Sequence, residues 1–209
     1  MTDQELLSLL QYQLVEPVDG GASWPSGLWT RDEVLAAFNA RQASLLKATH
    51  MQAIRVEQAV LANATSVALP ADWIATLHLV WRTAGGVRSP LSPTDAFEVD
   101  LLLPTWESTV GTPLVYLDGD QAALTLRLAP VPAANGTLEL LYIARATEAT
   151  GNGVTLSIPD EFLDPIRYGT LSDLLSKVGR AADAGRAQYA QQRYQLGTVL
   201  IELLLEGGA

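Results

Sequence analysis

The spacing of apolar residues changes twice along this chain, and the change restricts the folds open to it. In residues 1–62 and 159–209, apolar residues mostly recur every three or four positions, which is typical of amphipathic helices. Residues 63–158 are instead rich in β-branched and aromatic residues in short runs, which is typical of strands. The pattern predicts an α+β fold, with N- and C-terminal helices as a helical scaffold and residues 63–158 as an inserted antiparallel β domain.

Two helix starts are marked near the N-terminus. Thr2 and Glu5 have the three-residue spacing of a capping box, in which the threonine caps the helix and the glutamate reaches back to it. Thr30 and Glu33 repeat that spacing. Each pair precedes apolar residues at helical intervals, so the sequence predicts one helix after each pair.

The segment that leads into the middle stretch fits two structures. Ile54, Val56 and Val60 alternate as they would in a strand. Ile54, Gln58 and Leu61 would equally share one face of a helix. Both assignments stay open on the sequence alone.

Three residue pairs in the middle stretch are favoured in turns between strands. They are Gly85-Gly86, Asp118-Gly119 and Asn135-Gly136. With the apolar runs around them they predict a sheet or sandwich of about five or six strands.

The last stretch ends in an apolar stripe at the alternating four- and three-residue spacing of a coiled-coil seam. Its members are Tyr189, Arg193, Leu196, Leu200 and Leu203. Two turns of seam are too short to stand alone, so the stripe must pack on something. Packing on the preceding helix is the first expectation and a partner protein the second, which makes these five residues interface candidates.

Composition argues for a part of an assembly that does not hold nucleic acid. The net charge is −10, and residues 91–148 carry eight acidic side chains against two arginines, a net −6. Such a surface repels phosphates. Charged residues make up only 17% of the chain, which suggests that partners cover part of its surface. The absence of cysteine excludes disulfides and thiolate metal sites.

No recognisable catalytic, metal or nucleotide motif occurs. His50 and His78 have no motif around them, and Asp118-Gly-Asp120 lacks the rest of a calcium loop. We therefore expect no enzyme activity, no cofactor and no bound metal. The acidic start of the chain lacks the features of a signal peptide, and no apolar run is long enough to span a membrane, so synthesis in a reducing cytoplasm without membrane contact is expected.

The five tryptophans are expected mostly to anchor loops to the core. Trp24 and Trp106 lie in turn-like surroundings and are the better interface candidates, because tryptophan is enriched where proteins meet.

Several short motifs occur in a characteristic order. They are Leu69-Pro-Ala-Asp72, Pro104-Thr-Trp106, Gly111-Thr-Pro-Leu-Val-Tyr116, Ala129-Pro-Val-Pro132, Leu138-Glu-Leu-Leu-Tyr142, Ile158-Pro-Asp-Glu-Phe-Leu163 and Ile166-Arg-Tyr-Gly-Thr-Leu171. This layout resembles the head-to-tail connector, or adaptor, proteins of the tailed-bacteriophage neck. The resemblance covers nearly the whole chain and is strongest over residues 69–195.

The resemblance implies a structural virion protein at the head-tail junction. Subunits would form a ring, usually twelvefold, that joins the portal protein to the next neck or tail protein, with the C-terminal segment reaching toward the portal. Genomic DNA would pass through during ejection without sequence-specific binding, and we expect Asp95, Asp100 and Asp118 to line or approach that channel. The motif residues look structural: Tyr116 and Tyr142 would pack the sheet, and Gly169 would allow close helix contact.

Two alternatives remain on the sequence. Another phage tail, baseplate or tail-completion protein is the first. A carbohydrate-binding module with tryptophan platforms is the second, although it predicts an all-β chain and both ends here look helical.

Overall fold

A computed structural model describes residues 1–118 and 124–206. The chain divides into two compact units, the first made of Met1–Met51 with Arg145 onward, the second of Gln52–Ala144. The sequence placed the corresponding boundaries after residues 62 and 158. Within the described residues, no helix combines the length and apolar character needed to cross a membrane.

The fold is α+β, with both helices and a mixed sheet. The helices are α1 Asp3–Leu14, α2 Arg31–Thr49, α3 Ala96–Leu102, α4 Leu163–Leu175 and α5 Ala184–Glu206, and a short 3₁₀ turn at Asp160–Phe162 precedes α4. The strands are β1 Ala53–Val60, β2 Val67–Ala68, β3 Trp73–Thr83, β4 Arg88–Pro93, β5 Val110–Gly111, β6 Val115–Asp118, β7 Thr125–Ala129, β8 Val131–Pro132 and β9 Gly136–Ala144. Helix α3 lies in the stretch for which only strands were expected.

Both predicted capping boxes are present in the first unit. Thr2 Oγ1 accepts from the Glu5 backbone N at 3.3 Å, and Glu5 Oε2 accepts from the Thr2 backbone N at 2.7 Å. The matching distances for Thr30 and Glu33 are 3.2 and 2.9 Å. Each box satisfies two backbone donors that the first helical turn leaves without partners, so α1 and α2 begin where the sequence predicted.

Helix α1 is tied to a loop about 150 residues away through the carboxylate of Asp3. This side chain is fully buried and accepts from the backbone N of Thr150, Gly151 and Gly153 at 2.9, 2.6 and 2.8 Å. Burial by itself would raise the pKa of Asp3, but these backbone donors outweigh it and hold the pKa below its usual value. The bonds fix the loop against the start of α1.

The second unit contains a seven-stranded sheet of order β1-β9-β3-β4-β6-β7-β2 and a separate pair, β5-β8. The prediction of an antiparallel domain needs correction, because β4 pairs with β6 in parallel and β5 with β8 in parallel. A parallel neighbour requires a crossover connection, and α3 together with β5 lies on the path from β4 to β6.

The segment that fitted both a strand and a helix is strand β1. Its eight residues pair with β9 from Ala53 opposite Ile143 to Val60 opposite Gly136. The predicted turn at Gly85-Gly86 joins β3 to β4, with Gly86 at a φ of +83°. Gly119 of the turn predicted at Asp118-Gly119 lies outside the described residues, and so does Asp120.

Several of the family motifs meet one another in the second unit. Tyr116 and Tyr142 are 5% and 3% exposed and belong to one apolar cluster, which confirms that they pack the sheet. Tyr142 Oη also donates to Asp72 Oδ1 at 3.0 Å, and Gly111 pairs with Pro132. The motifs of the second unit are therefore contact partners, whereas Ile158–Leu163 and Ile166–Leu171 lie in the first unit.

Candidate assembly surfaces

Helix α5 packs on the rest of the first unit through one side. Ala187, Ala190, Tyr194 and Ile201 are buried on this side. At Gly197 a Cβ would overlap the Pro165 ring of α4, so glycine permits the close approach of the two helices. The seam was expected to pack on the preceding helix, but α5 instead does so through the row one residue beyond the seam.

The seam residues themselves lie on an exposed side of α5. Leu196, Leu200 and Leu203 are 53%, 51% and 59% exposed, and Tyr189 is 56% exposed. Val199, Leu204 and Leu205 enlarge the surface. A cluster of half-exposed leucines is unusual on a chain that acts alone and is typical of a surface that another protein covers.

A groove runs between α4 and α5 beside these leucines. It encloses about 320 Å³. Its apolar side chains are those of Phe162, Pro165, Tyr168, Leu196, Leu200, Ile201 and Leu204, and Glu161, Asp164 and Arg193 add charged groups to the lining. We refer to this set of residues as the α4–α5 groove.

Tyr168 connects the groove to the seam. Its ring meets that of Tyr189 edge to face, with centroids 6.3 Å apart. The guanidinium groups of Arg167 and Arg193 each lie 5.3 Å from its centroid. Arg167 also pairs with Asp164 at 2.8 Å, whereas Arg193 has no carboxylate partner among the described residues. Arg193 therefore offers an unpaired cation at one end of the seam.

Gly169, the residue after Tyr168, permits the close helix contact that the family resemblance implied. A Cβ there would lie 2.9 Å from both Arg41 Cδ and Tyr194 Cδ2. Arg41 in turn stacks on the Tyr194 ring at 4.8 Å and pairs with Asp173. These contacts hold α2, α4 and α5 together.

The interface prediction for Trp106 is wrong. Its side chain is 2% exposed and packs in a small core with Val99, Leu117 and Ala129. Its Nε1 donates to Asp100 Oδ1 at 2.8 Å, and Arg127 stacks 4.2 Å from the ring centroid. The turn-like sequence around Trp106 suggested exposure, but α3 folds back over the indole.

The interface role of Trp24 stays a prediction. It is half-buried, and its Nε1 is enclosed without an acceptor among the described residues. The other three tryptophans belong to the chain's own cores, since Trp29 and Trp81 are 5% and 3% exposed and Trp73 is half-buried against the sheet cluster.

Helix α3 presents an exposed patch that sequence reasoning missed. Phe97, Leu101 and Leu102 are 78%, 73% and 77% exposed. Asp95 caps the helix by accepting from the Glu98 backbone N at 2.8 Å. The spacing of Asp95 and Glu98 matches an N-cap and its N3 position, and this signal could have revealed the helix.

The acidic residues proposed for the channel are all exposed. Asp95 caps α3, Asp100 lies within α3 and Asp118 ends β6, and none of them pairs with a cation among the described residues. Glu139, counted in the same acidic stretch, is 7% exposed and lies between Arg82 and Arg88 on the sheet. Free negative charge is therefore concentrated at α3 and the end of β6.

A comparison with known families decides the membership of this chain. The family model "SU10 adaptor protein" matches residues 1–203. The chain belongs to the SU10 adaptor family. The predicted resemblance to phage head-to-tail adaptors is confirmed, and this adaptor is a structural protein of the phage neck.

Other comparisons add little about this adaptor. No curated protein matches it. Among solved structures, "Neck of empty GTA particle computed with C6 symmetry" is 13% identical, with 90% of this chain and 87% of that chain covered. The TM-score is 0.29, a likeness too small to carry an argument.

The described residues of the adaptor contain no grouping of three or more histidine, aspartate or glutamate side chains that could hold a metal ion. His50 ends α2 in the left-handed conformation at a φ of 54°, and His78 is exposed on β3. The two histidines therefore lie on different elements, one at the end of α2 and one on β3.

Proposed function

We propose that this adaptor works as one member of a closed ring at the head-tail junction of the virion, where it joins the portal protein to the next neck or tail protein. The family match over residues 1–203 carries the proposal, and the exposed leucine seam of α5 supports it. A ring subunit needs two different surfaces that meet its two neighbours, and further surfaces for the proteins above and below. Twelve subunits is the number that the family resemblance implies.

The two units suit different tasks in such a ring. We propose that the first unit is a helical scaffold and that Gln52–Ala144 is inserted into it, because the chain leaves the first unit at residue 51 and returns at 145. The exposed seam with Tyr189 and Arg193, together with Trp24, would meet neighbouring proteins. The role is structural, with no catalysis and no cofactor.

The mass of the protein in solution tests the ring. The 22.4 kDa chain should join purified portal rings in a fixed stoichiometry, measured by light scattering of the chain alone and of the mixture. A chain that stays monomeric and ignores portal rings would contradict the proposal.

The acidic surface gives a second test, because DNA must pass the ring without sticking. Asp118→Lys removes one of the exposed, unpaired carboxylates and leaves the cap of α3 and the Trp106 hydrogen bond intact. DNA release from particles that carry this variant should slow at low ionic strength and recover in high salt, since screening weakens the attraction.

The control for that test is Asp32→Lys in the exposed first turn of α2. It changes the net charge equally but lies in the other unit. Equal ejection rates for Asp118→Lys and the parent would contradict the proposal that Asp118 lines the DNA channel.

The carbohydrate-binding alternative has no support in the structure. That alternative relied on exposed tryptophan platforms, and all five tryptophans are buried or half-buried.

A further inference from the structure

Strand β1 forms one edge of the seven-stranded sheet. It is the first strand in the order β1-β9-β3-β4-β6-β7-β2, and its eight residues pair with β9 in one unbroken register. The opposite edge, β2, has only two residues. Proteins usually protect a long edge with lysine, proline or a bulge, and β1 contains none of these. It is therefore a long, regular edge that is open to another strand.

The register shows which backbone groups of β1 face outward. Gln52 continues the pairing opposite Ala144 and accepts from its backbone N at 3.0 Å. Hydrogen-bonded pairs alternate with non-hydrogen-bonded pairs in an antiparallel ladder, so every second residue from Gln52 bonds to β9. The residues between them turn their N–H and C=O groups to the free edge, and all four are exposed: Ala53, Arg55, Glu57 and Ala59. No other strand among the described residues bonds these groups.

The charged side chains beside this edge are incompletely paired. Arg55 forms no ion pair within residues 1–118 and 124–206, whereas Glu57 pairs with Arg82 on its inner side at 2.5 Å. Glu57 stands directly opposite Glu139 of β9, and like charges in that position repel. Because Arg82 and Arg88 already balance Glu139, the place left for a further cation is the outer side of Glu57.

We propose that two free copies of this chain pair through their β1 strands, antiparallel and across a two-fold axis at Val56. Outward-facing residues of one copy then lie opposite outward-facing residues of the other, and each such pair exchanges two backbone hydrogen bonds. Arg55 of each copy lies opposite Glu57 of the other, so four charges of alternating sign share one face of the joined sheet. On the other face, Val56 meets Val56, and Ile54 lies opposite Gln58.

Charge selects this register. An axis between two residues would set side chains of the core face against side chains of the solvent face, so the axis must pass through a residue. An axis through Arg55 would set two arginines opposite each other, and an axis through Glu57 would set two glutamates opposite each other. Axes farther along the strand leave fewer residues paired. A second copy is favoured over a strand of another protein because β1 supplies both members of each opposite-charge pair.

The two-fold symmetry of the pair gives it a place outside the ring. Neighbours in a ring meet through two different surfaces, whereas here the same surface is used twice. The pair therefore belongs to the free chain, where it covers an edge that could otherwise aggregate. The inference goes beyond the proposed function and does not depend on it.

Charge exchange tests the pair. Light scattering of the parent alone should give about twice the 22.4 kDa of one chain. Arg55→Glu sets glutamates opposite each other in both pairs, and Glu57→Arg does the same with arginines, so each variant alone should be monomeric. An equal mixture of the two restores opposite charges in both pairs and should regain the dimer mass.

The control is Arg180→Glu, a charge reversal at an exposed position of the other unit, which should stay dimeric. Melting temperatures show that each variant is folded. A monomeric parent, single variants that stay dimeric, or a mixture that stays monomeric would each overturn the inference.

Cysteine substitutions test the register without changing the charge, in a chain that has no cysteine of its own. Val56 meets Val56 as a non-hydrogen-bonded pair, in which Cα atoms lie about 4.5 Å apart, within reach of a disulfide. Under mild oxidation, Val56→Cys should give at least about tenfold more covalent dimer than Ile54→Cys, whose two copies lie four positions out of register. Ile54→Cys mixed with Gln58→Cys should give a mixed dimer.

Each other outcome of the oxidation has a distinct meaning. Covalent dimers from Ile54→Cys alone would move the axis along β1 and overturn the register. Failure of both Val56→Cys and the mixture to cross-link would overturn the pairing itself. Neither result bears on the ring, because a chain that dimerises alone but ignores portal rings contradicts only the proposed function.

Discussion

Asp3 shows how one buried residue stabilises the first unit. Its carboxylate accepts hydrogen bonds from three backbone N–H groups of residues 150–153. Arg31, the first residue of α2, donates to the carbonyl groups of Thr150 and Gly151 in the same loop. Hydrogen bonds to a charged group are stronger than neutral ones, and leaving buried donors unsatisfied is costly. The side chain therefore contributes more to stability than its place at a helix start would suggest.

Asp3→Asn should lower the free energy of unfolding by about 2–3 kcal/mol, because an amide cannot accept all of these bonds and brings a donor into a site filled with donors. Urea denaturation at neutral pH measures the change. Asp32→Asn, in the exposed first turn of α2, is the control and should change stability by less than about 0.5 kcal/mol.

The same residue should make stability depend on pH. Its pKa is lowered in the folded chain, so its contribution is fully present above the ordinary aspartate pKa and is lost as pH falls through the lowered folded value. Thermal melts between neutral pH and strongly acidic pH should show the gap between the parent and Asp3→Asn closing at the acidic end. A gap that stays constant over the whole range would contradict this account.

At the scale of elements, α5 has one packed side and one exposed side. One side packs on α4 through Tyr194 and Ile201, with Gly197 against Pro165. The adjacent side holds the exposed seam. A proline ring cannot move aside as a flexible side chain can, so Gly197 determines how closely α5 approaches α4.

Gly197→Ala should lower the free energy of unfolding by about 1–2 kcal/mol, because overpacking against Pro165 exceeds the gain in helix propensity. Gly185→Ala, at the start of α5, is the control. Its Cβ would meet only Asp183 Oδ1 at 3.7 Å, so this variant should be neutral or slightly more stable. Chemical denaturation distinguishes the two, and equal effects would contradict the proposed role of Gly197.

At the scale of the whole molecule, stability and assembly depend on different surfaces. The leucines of the seam are about half exposed and contribute little to the packing of the isolated chain. In the proposed ring they are covered. The same residues can then be changed with little cost to folding and a large cost to assembly.

The double variant Leu196→Gln, Leu200→Gln should keep the melting temperature of the parent within a few degrees and lose assembly on portal rings. Light scattering and thermal melts give the two measurements. Val178→Gln, at an exposed position outside the groove, should keep both properties. Normal assembly of the double variant would exclude the seam from the interface.

What the sequence alone determined is local. The capping boxes at Thr2 and Thr30, the turn at Gly85-Gly86 and the helical spacing of α5 all depend on residues within a few positions of one another, so their pattern is visible in the chain. The family could be recognised for a related reason, since its motifs keep their order along the chain.

Only the tertiary structure decided which residues meet across long separations. Trp106 was expected at a surface, but α3 and β7 cover it, and the donors that hold Asp3 come from a loop about 150 residues away. The parallel pairing of β4 with β6 follows from the path of α3, and the side of α5 that faces α4 follows from Gly197 and Pro165. Such contacts depend on packing and shape, which a periodic pattern of apolar residues does not specify.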